Sequence, residues 1–267
     1  TLPRHREVAQ LVRETGRSVE RTQPTFLEQV PEVIEPDGPV RGEVGFFVGC
    51  MFNGRVPQTA LDAMEVMKRN GIRVLVPHDQ VCCGSPLIRT GQTTDVEDLK
   101  RKNIEAFARR GITTVMTICA GCGATLKNDY ETPFTIKDVT EVLTEYGIEP
   151  PAKLDVRATY HDPCHLLRGQ GIRDQPRALL CNAVREFVEM PSQCCGAGGG
   201  VRSGIPEEAK ALGAKRDEAV KATGADVVVT VCPFCEFHIA DCTDVPVKNL
   251  VTVLLEGYRK KDAKTGE

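Results

Sequence analysis

The chain has 267 residues, a formal net charge of −3 and 41% hydrophobic residues, so it is long enough to bury a core without disulfide staples. The slightly negative charge excludes a global basic surface for nucleic acid. The 5% of aromatic residues, with no tryptophan, also supply little material for base stacking. No apolar run reaches the about 18 residues of a membrane-spanning helix, so we expect no transmembrane segment.

Residues 1–42 predict an N-terminal helical arm and linker. A basic helix is expected from Arg4 to Val19, and a loop rich in proline and acidic residues follows it. The sequence begins at Thr1 rather than at a methionine, which fits both a processed start and a piece of a longer polypeptide.

Over residues 43–152, short apolar runs alternate with stretches of helical periodicity, which predicts a first α/β lobe. Gly71 and Gly111 stand where two of the predicted helices end. The expected strands are 44–48, 72–76 and 112–118, the expected helices are 57–70, 95–110 and 122–130, and residues 134–146 form a further strand-to-helix unit.

Residues 153–267 repeat this order and predict a second lobe. The expected strands are 156–160, 187–190 and 226–231, and the expected helices are 174–186 and 206–223. Because strands alternate with helices, the predicted fold class is α/β, with two pseudo-symmetric Rossmann-like lobes that each contain a parallel sheet and one cysteine motif.

Ten of the twelve cysteines form one five-membered pattern that occurs twice, with matching positions 112 to 114 residues apart. This register indicates a duplication in which each half presents five sulfurs to one ligand. Each cysteine group follows a predicted strand, and α/β sheets bind ligands at the carboxyl ends of their strands. The first set is Cys50, Cys82, Cys83, Cys119 and Cys122, and the second set is Cys164, Cys194, Cys195, Cys232 and Cys235.

Three chemistries compete for these thiols. A disulfide framework is disfavoured because five cysteines per half is an odd number and adjacent cysteines bond each other poorly. Zinc normally takes four ligands, so a fifth would be surplus, and zinc in one half stays an alternative. A soft, five-thiolate set favours an iron–sulfur cluster.

Gly84 and Gly196 directly follow the two adjacent cysteine pairs, which predicts a backbone with positive φ whose amides point at a cluster. Gly198 extends this glycine-rich loop in the second half. A phosphate-binding loop is the competing interpretation. Neither a P-loop lysine with serine nor a GxGxxG frame accompanies these glycines, so the cluster interpretation is favoured.

The doubled motif resembles the cysteine-rich CCG domain, with 31 and 29 residues before the cysteine pair and 35 and 36 after it. Families with two copies include the catalytic subunits of heterodisulfide reductase (B and D types) and the iron–sulfur subunit of thiol:fumarate reductase. The iron–sulfur subunits of glycolate, lactate and glycerol-3-phosphate dehydrogenases carry them too. The resemblance covers about residues 43–258.

This resemblance implies a noncubane [4Fe-4S] cluster on each cysteine set. It also implies that the coenzyme M–coenzyme B heterodisulfide is cleaved, or formed, between the two clusters. The alternative is an electron-relay subunit that serves a flavin dehydrogenase and passes electrons to a quinone. The implied partners are a ferredoxin-like iron–sulfur subunit or domain, a flavoprotein subunit in a larger complex, and the heterodisulfide or thiol substrate.

His161 and His165 stand near Cys164 and are candidate catalytic proton donors, because histidine titrates near neutral pH. We favour His165, and the alternative is a histidine that only hydrogen-bonds a sulfide or a carbonyl. His238 is expected to be structural. Basic residues near the cluster loops are candidate anion-binding groups, or else solvated surface charges: Arg89, Lys127, Arg168 and Arg202.

Cys181 and Cys242 lie outside the repeated pattern and are expected to pack in the core. Reduced cysteines indicate a cytoplasmic protein. Any association with a membrane is then expected to run through partner subunits.

Overall fold

The structure is a computed structural model that describes residues 3–266, so Thr1, Leu2 and Glu267 lie outside the described residues. It divides into two compact units between Val142 and Leu143, which we call unit 1 and unit 2. The domain boundaries that the sequence suggested, after residues 42 and 152, stay predictions.

Unit 1 contains a five-stranded sheet and the helices that cover it. Its elements in chain order are α1 (Pro3–Thr15), α2 (Phe26–Gln29), β1 (Val33–Ile34), β2 (Gly42–Phe46), α3 (Gly49–Gly54), α4 (Pro57–Arg69), β3 (Ile72–Leu75), α5 (Ser85–Arg89), α6 (Val96–Ala108), β4 (Thr114–Thr117), α7 (Ala120–Asn128), β5 (Thr135–Asp138) and α8 (Val139–Tyr146), the last of which runs across the division.

Unit 2 contains a four-stranded sheet. Its elements are β6 (Leu154–Tyr160), α9 (Cys164–Leu167), α10 (Asp174–Ala183), β7 (Val184–Val188), α11 (Val201–Gly204), α12 (Pro206–Thr223), β8 (Val227–Thr230), α13 (Pro233–Ala240), β9 (Val247–Asn249) and α14 (Leu250–Thr265). All four residues of β8 are buried, as expected for a parallel strand that is covered on both faces.

The two sheets share one topology. The strand order is β3-β2-β4-β5 in unit 1 and β7-β6-β8-β9 in unit 2, and all these pairs are parallel. Each of these strands in one unit therefore has a counterpart in the other. The predicted α/β class with parallel sheets is confirmed.

Unit 1 carries one strand that the sequence did not predict. β1 pairs antiparallel with β3 at the edge of the sheet, where residues 33–34 were expected to belong to a loop. The segment lies between Pro31 and Pro36, and an edge strand tolerates nearby prolines because only one of its sides needs hydrogen bonds.

Two predicted boundaries are wrong by three residues or more. The expected helix 174–186 ends at Ala183 and the expected strand 187–190 begins at Val184, because buried Val184 pairs with Leu154 of β6. The helix expected to reach Val19 ends at Thr15. Among residues 3–266, none of the helices has the length and hydropathy needed to cross a bilayer.

Gly45 in β2 leaves no room for a side chain, since a methyl group there would lie 2.7 Å from Ile112 Cγ2 and 2.9 Å from Phe107 Cδ1. We expect Gly45→Ala to lower the free energy of unfolding by about 1–3 kcal/mol, because the added methyl group would overpack the core. Gly38→Ala is the matched control, since nothing lies within 4 Å of its added methyl. Urea unfolding followed by circular dichroism checks this, and equal midpoints for the two variants would contradict it.

Candidate functional site

The cysteines of unit 1 come together at the carboxyl ends of its central strands. Cys50 follows β2, Cys82 and Cys83 follow β3, and Cys119 follows β4, all with buried side chains. Cys122 lies one turn into α7 and is buried as well. Parallel strands whose ends share an edge therefore deliver all five thiols of the first set to one place.

The thiols of the first set act on one another in series. Cys82 raises the pKa of Cys50, and Cys119 and Cys83 raise the pKa of Cys122. The thiols of Cys122 and Cys82 lower the pKa of Cys83 to about 6, against the effect of burial. Each of these sulfurs therefore lies next to at least one other thiol of the set.

The second set assembles in the same way in unit 2 but is more open. Cys195 Sγ lies 3.4 Å from Cys235 Sγ, and the thiols of Cys195 and Cys232 raise the pKa of Cys235. Burial raises the pKa of Cys164 to about 11, with the charges of Cys194, Cys195 and Cys232 adding to the effect. Cys194 is exposed and Cys164 is half-buried, whereas every member of the first set is buried.

Backbone amides point at equivalent sulfurs in the two units. Gly84 N–H donates to Cys82 Sγ and Gly196 N–H donates to Cys194 Sγ, both over 3.4 Å. Gly84 has a φ of 82° and Gly196 a φ of 93°, the left-handed conformation that glycine adopts without strain. Gly198 differs from the expectation, because its φ is not positive. A methyl group there would lie 3.5 Å from Cε1 of His165.

Two helices begin at cysteines. Cys119 is the N-cap of α7, where its Sγ accepts a hydrogen bond from Cys122 N–H over 3.5 Å, and Cys232 is the N-cap of α13. The positive end of a helix dipole favours a thiolate over a thiol. The local fold therefore prepares these sulfurs to act as metal ligands.

The two candidate histidines occupy different surroundings. His161 is 1% exposed, and one of its ring nitrogens lies with the Sγ atoms of Cys195 and Cys235 in a group whose members are within 4.8 Å of one another. Cys235 first, and then His161, lower the pKa of Cys195 to about 4 against the effect of burial. His165 is half-buried beside Gly198. Buried His238 is structural, with Nε2 at 3.0 Å from the carbonyl of Ala209.

Three of the four basic residues that were candidate anion-binding groups are engaged in ion pairs. Arg89 contacts Asp129 and Lys127 contacts Glu141, each over 2.6 Å. Arg202 pairs with Asp241, and Arg168 is exposed. The two paired groups in unit 1 are therefore neutralised where the sequence suggested free positive charge.

The cysteines outside the pattern lie on the surface or near it. Cys181 is exposed on α10, so its expected place in the core is wrong, because it falls on the solvent face of that helix. Cys242 is partly exposed and packs against Gly213 of α12, where an added methyl would meet its Sγ.

Sequence reasoning missed several residues that hold the cysteine loops. Buried Arg177 makes two hydrogen bonds to Asp162, over 2.9 and 2.8 Å, and also contacts Glu189, which braces the segment before Cys164. Buried Arg216 donates to the carbonyl of Pro191 and to Gln193 Oε1, before the second cysteine pair.

The N-terminal segment covers part of the first set. Ser18 N–H donates to Cys50 Sγ over 3.3 Å, and Cys82 N–H donates to the carbonyl of Gly16 over 2.7 Å. Ala9 and Val12 of α1 are buried in the same cluster as these two cysteines. In the second set, by contrast, Cys194 is exposed and Cys164 is only half-buried.

The residues of both sets fit a soft metal or an iron–sulfur cluster. Five thiols at one edge of a sheet have the donor chemistry of such a group, and Cys83 and Cys195 have lowered pKa values that favour the ligating thiolate. In unit 2, Arg216 Nε is buried with no hydrogen-bond partner among the described residues. A negatively charged cluster beside it would offset that cost.

A family model described as the cysteine-rich domain, CCG, matches residues 44–127 and again residues 158–240. The chain belongs to the CCG cysteine-rich domain family. One CCG match falls within unit 1 and the other within unit 2, so each contains one cysteine set. The family resemblance that the motif spacing suggested is confirmed.

Three relatives of this CCG protein come from methanogens. An uncharacterized iron-sulfur protein of Methanococcus maripaludis is 44% identical, over 95% of this chain and 54% of its own. A fumarate reductase (CoM/CoB) subunit of Methanothermobacter marburgensis is also 44% identical, over 96% and 54%. A dihydromethanophenazine:CoB–CoM heterodisulfide reductase subunit of Methanosarcina acetivorans is 36% identical, over 83% and 60%. The chain thus spans little more than half the length of these relatives.

The difference in exposure predicts an order of thiol reactivity. In protein depleted of metal, we expect iodoacetamide to modify exposed Cys194 and Cys181 before buried Cys50 and Cys82, because a covered thiol is shielded from the reagent. Peptide mass spectrometry over a time course measures the order, with circular dichroism as the check on folding. Modification of Cys50 as fast as Cys194 would contradict the cover that the N-terminal segment provides.

Proposed function

We propose that this chain is an iron–sulfur oxidoreductase subunit that reduces, or forms, the coenzyme M–coenzyme B heterodisulfide. Each five-cysteine set would hold one noncubane [4Fe-4S] cluster. The observation that carries the proposal is the convergence of five thiols in each unit, in a CCG family member. The names of two relatives support this choice of substrate, since both include CoM and CoB and one includes heterodisulfide reductase.

The number of thiols supports a noncubane cluster. An ordinary cubane takes four cysteines, so a fifth cysteine in each repeated set points to a larger donor set. The group formed by His161, Cys195 and Cys235 offers nitrogen and sulfur ligands of the kind that zinc also takes. Metal analysis therefore has to separate iron from zinc.

Two sites in one chain suit a two-electron reaction. Cleavage of a disulfide needs two electrons, and the thiolates that leave need protons or a metal ligand. When bound, the clusters would supply one electron each and a site for sulfur. The chain itself would hold the cysteine ligands in register and exclude water from the first set.

We assign proton transfer to His165. Its ring is half-buried next to Gly198, where solvent can replenish a proton on a ring nitrogen. His161 is buried against the Sγ atoms of Cys195 and Cys235, a place that suits holding sulfur rather than exchanging protons with solvent.

Partner subunits belong to the same proposal. Electrons would arrive from a ferredoxin-like iron–sulfur subunit or domain, or from a flavoprotein subunit. The relatives named as subunits support this assembly, and the chain spans little more than half their length. Twelve free cysteines fit the reducing cytoplasm, with any membrane association through partners.

Metal analysis and EPR test the function together. We expect about eight irons per chain with matching sulfide, since each [4Fe-4S] cluster holds four. Addition of coenzyme M–coenzyme B heterodisulfide to the reduced protein is expected to produce a new EPR signal. About four irons and no response would favour the electron-relay function instead. Zinc without iron would refute both redox functions.

Removal of one ligand separates the two sets. We expect Cys83→Ser to lose about four irons, as does Cys195→Ser, because each variant dismantles one cluster. Cys181→Ser is the matched control, since this thiol is exposed and outside both sets. Iron analysis of the anaerobically purified variants measures the effect, and retention of full iron by Cys83→Ser would remove that residue from the ligand set.

A further inference from the structure

The two cysteine sites differ in charge at one matched position. Asn103 on α6 and Arg216 on α12 are 113 residues apart, which is also the separation of Cys119 and Cys232. These two helices also pack over the glycines that follow the cysteine pairs. The residues that do so are again 113 positions apart. A methyl on Gly84 would approach Val96 and Leu99, and one on Gly196 would approach Ala209 and Leu212.

Both residues brace the segment that leads to their cysteine pair. Asn103 accepts a hydrogen bond from Val81 N–H over 2.8 Å and donates to the carbonyl of Cys82 over 3.1 Å. Arg216 donates to the carbonyl of Pro191 over 2.7 Å and to Gln193 Oε1 over 2.9 Å. The positions therefore share a bracing role, but one side chain is neutral and the other is a cation.

The charge of Arg216 is buried without a carboxylate. The residue is 1% exposed, and within residues 3–266 it forms no ion pair with an aspartate or glutamate. Burial lowers the pKa of its guanidinium, while the thiolates of Cys195 and Cys194 oppose that shift. Arginine keeps its proton in proteins, so the second set has a fixed positive charge at its edge, in a place of low dielectric.

The first set has a different electrostatic neighbourhood. The pKa values of Cys50, Cys82, Cys83 and Cys122 are set by neighbouring thiols of the first set, by burial, and by hydrogen bonds from Ser18, Gly84 and Ser85. A neutral amide also stabilises negative sulfur, but by less than a buried full charge does. The first set is, in addition, more completely covered from water than the second.

We propose that Arg216 raises the reduction potential of the cluster on the second cysteine set above that of the cluster on the first. The second cluster is then reduced first. The inference rests on the proposed function, since it requires a cluster on each set. Reduction adds one negative charge to a cluster, and a nearby buried cation and contact with water both stabilise that charge. The chain would thereby give two sites with the same ligands different redox roles.

Potentiometric titration of the purified iron–sulfur protein, followed by EPR, tests this. We expect two reduction waves. Arg216→Gln is expected to lower the midpoint potential of the upper wave by at least about 59 mV, which is a factor of ten in the equilibrium constant of a one-electron reduction. The lower wave is expected to stay in place, and Arg216→Lys, which keeps the charge, is expected to retain most of the wild-type potential. Arg185→Gln, at an exposed arginine of unit 2, is the control.

The ligand variants keep the test independent of how Arg216 variants fold. Cys83→Ser is expected to abolish the lower wave and to retain the upper one. Cys195→Ser is expected to abolish the upper wave and to retain the lower one. The reverse assignment, equal potentials in the wild type, or an equal shift in Arg185→Gln would overturn this inference while leaving the proposed function intact. Iron on only one set, or on neither, would refute the proposed function and this inference with it.

Discussion

The placement of five thiols at the carboxyl ends of three parallel strands is the constraint on which each unit depends. Neighbouring sulfurs and burial hold the pKa values of Cys50, Cys122 and Cys235 well above the usual range. Sulfurs so close together stay ionised only with compensating charge. Backbone amides and helix N-termini supply part of this compensation, and a metal cluster would supply the rest.

Each unit meets this constraint with the same sheet but with different supports. In unit 1 the N-terminal segment covers Cys50 and Cys82, and neutral Asn103 braces the loop. In unit 2 the thiols are more open, and the charged side chains of Arg177 and Arg216 brace the loops. The two units thus share the pattern of cysteines, while the surroundings of the two sites differ.

The alternation of apolar runs and helical stretches was enough to predict the α/β class and most elements, since these patterns are local. It failed where a distant partner decided the outcome. Val184 entered a strand because β6 was available for pairing, and residues 33–34 became a strand because β3 presented a free edge. The exposure of Cys181 depended on which face of α10 is packed, which spacing alone did not reveal.

The order of amino acids was sufficient to assign ten cysteines to two matched sets after parallel strands. The identity and the spacing of the cysteines are properties of the sequence, and the carboxyl ends of the parallel strands bring the cysteines of each set together. The difference between the two sets emerged only from the folded chain. Burial and charge at a sulfur depend on residues far away in sequence, such as Ser18 beside Cys50 and Arg216 beside the second cysteine pair. Packing, rather than the motif, therefore sets the electrostatic character of each site.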